Sequence, residues 1–198
     1  MIIKNFVHQT ELLVKAFETG IKDVLELENT IHYEKMIKRL KKKYIYEKID
    51  TVKGRSSYYF FKKQEDRDYF CKNIAQFAIE NKISKISTQY GLFMGYPPKA
   101  CEYFPSKTLG VDIVENLLIN YNGMNFASYQ ETIKEDFEWL FKNKPLDSNS
   151  FILIEGFLHK TNEENWEEKL FEGLDYYTTK ILPKKIEKMK KKKERISS

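Results

Sequence analysis

Cys101 is the residue whose type and setting most invite chemistry in this 198-residue chain. It follows the break Gly95-Tyr96-Pro97-Pro98-Lys99-Ala100, where Pro98 has its φ preset for a first helical turn. A helix starting there places Cys101 where backbone N–H groups lack internal partners and partial positive charge favours a thiolate. Lys99 pushes the same way, so a reactive thiol is one expectation. A buried, inert sulfur is the other, because Ala100 and Tyr103 give the segment an apolar side. With or without a reactive sulfur, Gly95, Tyr96, Pro97, Pro98 and Lys99 are the candidate ligand-binding wall.

A second constellation is Glu155 and His159, four residues apart on an expected strand and therefore on one side of it. With Glu102 they would form a carboxylate–imidazole group suited to proton transfer. The competing account is a histidine simply exposed at a strand end.

The third feature is electrostatic. Residues 180–198 hold nine Lys or Arg against Glu187 and Glu194, a net +7, so the whole-chain +5 leaves −2 on the preceding 179 residues. Lys184, Lys185, Lys188, Lys190, Lys191, Lys192, Lys193 and Arg195 are candidate nucleic-acid contacts, since such a segment releases phosphate counterions without reading sequence. A protein partner bound through the tail, an anionic membrane surface and a plain solubilising terminus are the alternatives. Lys38–Lys43 is a second basic cluster, read first as cations at a helix C-terminus, and the aromatics beside Lys62 and Lys63 are read first as core.

Several chemistries are excluded by pattern. There is no phosphate-cradling glycine loop, no His-Glu-x-x-His and no Gly-x-Ser-x-Gly. The three histidines, His8, His32 and His159, lack ligand spacing to another His or Cys, so no metal site is expected and no cofactor is implied. Two cysteines give no disulfide framework, and no apolar run approaches the roughly 20 residues of a membrane-spanning helix. A cytoplasmic protein without a membrane span is the expectation.

The elements that must position these residues are read from periodicity. Helices are expected from Thr10 to about Glu28 (with Thr10 as N-cap), from Thr30 to Lys43, and from Glu65 to about Asn81. Tyr44–Val52 and Ser57–Lys62 read as a hairpin. Val114, Leu117, Leu118 and Tyr121 mark another helix closed by Asn122-Gly123. Capping boxes at Ser128-x-x-Glu131 and Thr161-x-x-Glu164 open two more. Ser150–Leu158 reads as one buried strand, and Pro183 interrupts or ends the last helix. The fold class is α+β, mainly helical, with a small antiparallel sheet from the hairpin 44–62 plus a strand near 150–158. Residues 1–182 form one globular domain and 183–198 a basic, flexible or frayed-helical tail.

Leu92 to Phe104 resembles the Leu-Gly-Tyr-Pro-x-Cys-Cys-x-x-x-Phe signature of an uncharacterised prokaryotic family, domain of unknown function 483, and the preceding hairpin and helix are similar in order. Ala100 stands where the first cysteine of the pair is expected, and Glu155-Gly156-Phe157-Leu158-His159 lacks the family's downstream cysteine. The family has no assigned activity, so the resemblance implies a fold rather than a reaction. Three readings follow, in order: a ligand- or partner-binding domain with its site at the Gly-Tyr-Pro-Pro-x-x-Cys helix start; an accessory nucleic-acid-binding protein using the basic tail; an enzyme with a Cys101 thiolate or a Glu/His pair.

Overall fold

The computed structural model describes residues 2–102, 116–154 and 157–197. It is an α+β fold with two small antiparallel sheets. The first half runs α1 (Ile2–Thr19), β1 (Val24–Glu28), a 3-10 turn (Ile31–Tyr33), α2 (Glu34–Lys41), β2 (Ile45–Asp50), β3 (Ser56–Phe61), α3 (Gln64–Asn73) and α4 (Ala75–Ile79). A second 3-10 turn (Ile83–Ile86) leads into α5 (Ser87–Phe93), and α6 occupies 98–102. The second half holds β4 (Asn116–Tyr121), β5 (Met124–Tyr129), α7 (Ile133–Asn143), β6 (Phe151–Ile154), β7 (Phe157–Lys160), α8 (Trp166–Tyr176), a π-helical turn (Tyr177–Ile181) and α9 (Leu182–Ser197).

The first sheet has the order β1-β3-β2, and alternation along its strands serves two cores. Leu25, Leu27 and Phe60 face α1 and α2, meeting Val14, Phe17, Ile37 and Leu40. Val24, Tyr59 and Phe61 face the other way, toward Phe70, Ile74, Ala78 and Met94 of the α3–α5 layer. The second sheet, β5-β4-β6-β7, turns Leu117, Ile119, Tyr121, Ile152 and Ile154 onto Phe137, Leu140, Leu170 and Leu174. Tyr96 packs against both the second of these cores and the third, and so joins the two sheet systems.

The expected hairpin 44–62 stands as β2 and β3, and the helices after Thr30 and Thr132 also form, whereas the helix expected from Glu65 to about Asn81 is broken at Ile74 (φ −124, ψ −40) into α3 and α4. Other readings are corrected. The first helix stops at Thr19, and Gly20 takes φ +92 just beyond it, so Val24 and Leu25 belong to a strand. Thr10 is internal to α1 and donates to the Tyr33 hydroxyl at 3.0 Å instead of capping. Leu117, Leu118 and Tyr121 lie on β4, not on a helix. Asn122 and Gly123, at φ +46 and +99, make the two-residue hairpin turn in which both residues need positive φ. A Cβ on Gly123 would lie 2.2 Å from the Leu12 carbonyl oxygen, so the turn also requires glycine for contact with α1.

The Ser150–Leu158 strand divides into β6 and β7, with Ile154 paired to Phe157. Thr161 caps nothing: its hydroxyl accepts from the Ser150 N–H at 3.1 Å and lies 2.5 Å from the Asp147 carbonyl, tying the ends of that hairpin. The basic segment is helical, and the chain passes Pro183 without a break. The wider π-helical turn just before it relieves the clash a proline ring makes with the carbonyl four residues earlier.

Ser128 lies in β5 and is no N-cap of α7. Its hydroxyl donates to Asp136 at 2.6 Å, and Thr132 reaches the same carboxylate at 3.2 Å. Asp136 also accepts the Ala100 N–H of α6 at 3.0 Å and is 1% exposed. Burial raises its carboxyl pKa above the ordinary 3.8, against the lowering by these three bonds. A raised carboxyl binds its proton more tightly folded than unfolded, so its contribution is greatest below the unfolded pKa and declines as pH rises through the folded one. Asp136→Ala is expected to cost about 2–4 kcal/mol in chemical denaturation by orphaning three donors. Asp136→Asn keeps an acceptor for Ala100, is expected to lose less than half of that, and removes this group's share of the pH dependence.

Candidate functional site

The Gly95–Pro98 break is a helix stop followed at once by a helix start. Gly95 N–H bonds the Leu92 carbonyl at 3.0 Å and Tyr96 N–H bonds that of Gly91 at 3.1 Å, the paired 5→2 and 6→1 bonds of a Schellman end. Gly95 takes φ +83, so the backbone sign demands glycine, and a Cβ there would also push aside the Asp23 carboxylate, one oxygen of which would lie at 2.5 Å. Pro97 then stands at the N-cap of α6, its carbonyl accepting the Cys101 N–H at 3.1 Å. A proline N-cap has no side-chain acceptor for the N–H two or three residues on. Asp136 supplies it from α7.

A cavity of about 220 Å³ lies between α5, α6 and β5. Tyr90, Gly91, Tyr96, Ala100, Cys101 and Phe126 form its apolar wall, and Ile83, Ser84, Ser87 and Ala127 complete the lining. A Cβ on Gly91 would meet the Cys101 sulfur at 2.6 Å, so glycine lets α5 and α6 close over that sulfur. The expected reactive thiolate is corrected here. Cys101 is 5% exposed, and burial first, then the charges of Asp136 and Glu102, push its thiol up to about 12. The helix start that was to stabilise a thiolate is already neutralised by a carboxylate, leaving a neutral thiol in the cavity wall.

Behind Tyr96 lies a group that no spacing rule points to. Lys22 is 2% exposed, with its Nζ 3.2 Å from the Tyr96 hydroxyl and 4.4 Å from the ring centroid. Burial pushes Lys22 down to about 7, while Glu26 and Asp23 hold it up. Burial and then the Glu26 charge push the Tyr96 hydroxyl up to about 12. Asp23 pairs with Lys144 at 2.5 Å, and the Tyr90 hydroxyl donates to Glu26 at 2.7 Å. Nothing in Gly20-Ile21-Lys22-Asp23 distinguishes this lysine from the other basic residues of the chain, and only the meeting of β1 with the 95–97 turn buries it.

Of the predicted wall, Tyr96 and Cys101 line the cavity, whereas Gly95, Pro97, Pro98 and Lys99 shape the turn around it. Lys99 pairs with Glu102 at 3.2 Å on the exposed side of α6, away from any proton-transfer group. His159 lies on β7 opposite Ile152, where burial lowers its pKa, and lines a separate cavity of about 100 Å³ with Phe157 and Tyr177. The structure therefore does not bring His159 to Glu102, and Glu155 lies outside the described residues. Among the described residues no group of three His, Cys, Asp or Glu is placed to hold a metal, and no helix is long and apolar enough to cross a membrane.

Lys184 and Lys188 project from α9 with no ion pair among the described residues. Lys185 donates to the Tyr177 hydroxyl at 2.7 Å, and Lys191 pairs with Glu187 at 2.6 Å. Lys190, Lys192, Lys193 and Arg195 continue the same helical backbone. In comparison with known proteins, the chain matches no family model, no curated protein and no solved structure.

The buried amine yields a signed prediction. Between its folded pKa of about 7 and the ordinary 10.5, the unfolded chain binds a proton at Lys22 that the folded chain does not. Stability from this group therefore rises with pH across that window and is lowest below it. Lys22→Met is expected to raise the melting temperature at pH 6, by the ~1–4 kcal/mol typical of exchanging a buried ion for an apolar residue, and to flatten the rise from pH 7 to 10. Thermal unfolding followed by circular dichroism at each pH reads both effects.

Proposed function

We propose that this chain is a small-ligand-binding protein whose site is the cavity at the α5–α6 turn. The single observation that carries the reading is the 220 Å³ space itself, walled mainly by rings, methyl groups and a buried sulfur at the α5–α6 turn. A dry cavity of about 150 Å³ accepts benzene, so this one suits a group the size of a fused bicyclic ring. Its wall is neutral near pH 7, with Cys101 and Tyr96 both pushed up to about 12. The resemblance of residues 92–104 to domain of unknown function 483 fits a shared turn at this place and adds no reaction. Indole, a neutral probe, is expected to raise the melting temperature and to perturb the Tyr96 and Phe126 ring signals in NMR spectra. Ser87→Phe, which enlarges a half-buried residue of the lining, should weaken both effects while the folded circular-dichroism spectrum is retained. Absence of any indole effect on the wild-type protein refutes the reading.

A second reading, nucleic-acid binding by α9, is favoured by one observation: the basic run is a continuous helix whose exposed Lys184 and Lys188 lack acidic partners among the described residues. Positions 184, 188, 191 and 195 fall along one stripe of that helix. The full chain is then retained on a single-stranded DNA column at low salt and released steeply as salt rises. A chain ending at residue 183 should not be retained; equal retention of the two would remove the reading.

A further inference from the structure

We propose that the ligand of this cavity is an organic cation, a ring-sized apolar group carrying an amine on a short arm; this rests on the cavity being a ligand site. A groove of about 510 Å³ opens beside the cavity and shares Ile83 and Ser84 with it. Its lining includes Glu26 and Glu28, with Arg55 as its one basic residue. Glu26 and Glu28 are two apart on β1 and so face one side of the sheet. Among the described residues none of the three makes an ion pair, so the groove carries an uncompensated negative charge at the mouth of a neutral, apolar chamber.

Tyr90 ties the two spaces together. Its ring lines the cavity, and its hydroxyl donates to the Glu26 carboxylate at 2.7 Å. Tyr59, also in the groove lining, lies close enough that burial and then the Glu26 charge push its hydroxyl up. A carboxylate offers about four acceptor positions, so the Tyr90 phenol fixes the Glu26 carboxylate and leaves room for an ammonium. Lys22 does not fill that role: it is buried behind Tyr96, and desolvation pushes it down to about 7, so it offsets Glu26 only in part. A ligand with its ring against Tyr96 and Phe126 thus has a preset anion one hydrogen bond beyond the chamber wall. A carboxylate-bearing ligand would meet two like charges there.

Three probes with one ring system separate the possibilities: tryptamine, tryptophol and indole-3-propionate, titrated calorimetrically into the full-length protein at low ionic strength. Tryptamine is expected to bind at least about tenfold tighter than tryptophol, the scale of a charge-assisted hydrogen bond, and indole-3-propionate weakest. Added salt narrows the gap at the open groove. Glu26→Gln, which keeps an acceptor for Tyr90, should bring tryptamine to the tryptophol level and leave tryptophol unchanged. Glu28→Gln, at an exposed position, should reduce the preference in the same direction by a smaller factor and serves if the first variant does not fold. If tryptophol binds as tightly as tryptamine, and Ser87→Phe blocks it, the cation inference falls and the cavity reading stands. If none of the three binds, both fall. A loss in Glu26→Gln equal for tryptamine and tryptophol also overturns the inference, because the carboxylate would then be shaping the wall and not holding a charge.

Discussion

The Asp136 carboxylate is the constraint on which the rest of the structure depends. A double proline starts a helix well and caps it badly, because Pro97 has no side chain that can accept the free N–H groups of the first turn. The acceptor for the Ala100 N–H comes from a residue 36 positions after Ala100, on α7, and the same carboxylate fixes Ser128 of β5 and Thr132 ahead of α7. One buried group therefore sets the distance between the α6 start and the second sheet. The chamber between α5, α6 and β5 is bounded by the pieces that Asp136 holds apart.

Electrostatics follows from that placement. An anion beneath the first turn of α6 satisfies the partial positive charge of the helix start, so the sulfur one residue after Ala100 gains nothing from it. Burial then keeps both Cys101 and Tyr96 protonated at neutral pH. On the opposite side of Tyr96, Lys22 is held where water does not reach it, and its charge is balanced by Glu26 and Asp23 at a distance instead of by direct contact. Charge is thereby absent from the chamber wall and concentrated behind and beside it.

The sequence was most legible where one chain segment decides its own structure. The stop at Gly95, the restart at Pro98 and the hairpin 44–62 are all written in local residues: a positive φ, a fixed φ, and alternation around a polar turn. It was least legible where two periodicities coexist. Leu117, Leu118 and Tyr121 satisfy a helical pattern, while Leu117, Ile119 and Tyr121 satisfy a strand pattern, and Asn122-Gly123 ends a helix or turns a hairpin equally well. Pairing with β6, through Ile119 and Ile154, decides the matter from outside the segment. The same applies to Ser128 and Thr161, whose spacing to Glu131 and Glu164 imitates capping boxes while their hydroxyls serve tertiary contacts. Lys22 and Asp136 carry no local signal at all, because what marks them is burial by elements distant in the chain.

The size of the chamber bears on why it persists. Empty volume in a core costs about 24 cal/mol per Å³ relative to a filled one, so a sealed 220 Å³ space would cost on the order of 5 kcal/mol. That is comparable to the whole net stability of a typical domain. Ser84 at the rim is exposed, so the space opens to solvent and the full cost does not apply. Water in it nevertheless finds few partners: the Tyr90 hydroxyl is committed to Glu26, that of Tyr96 accepts from Lys22, and apart from Ser84 and Ser87 the remaining wall is ring, methyl and sulfur. A larger side chain at a lining position such as Ser87 would narrow the gap. On the proposed reading, leaving it open, apolar and accessible converts a packing penalty into affinity for the ring that enters.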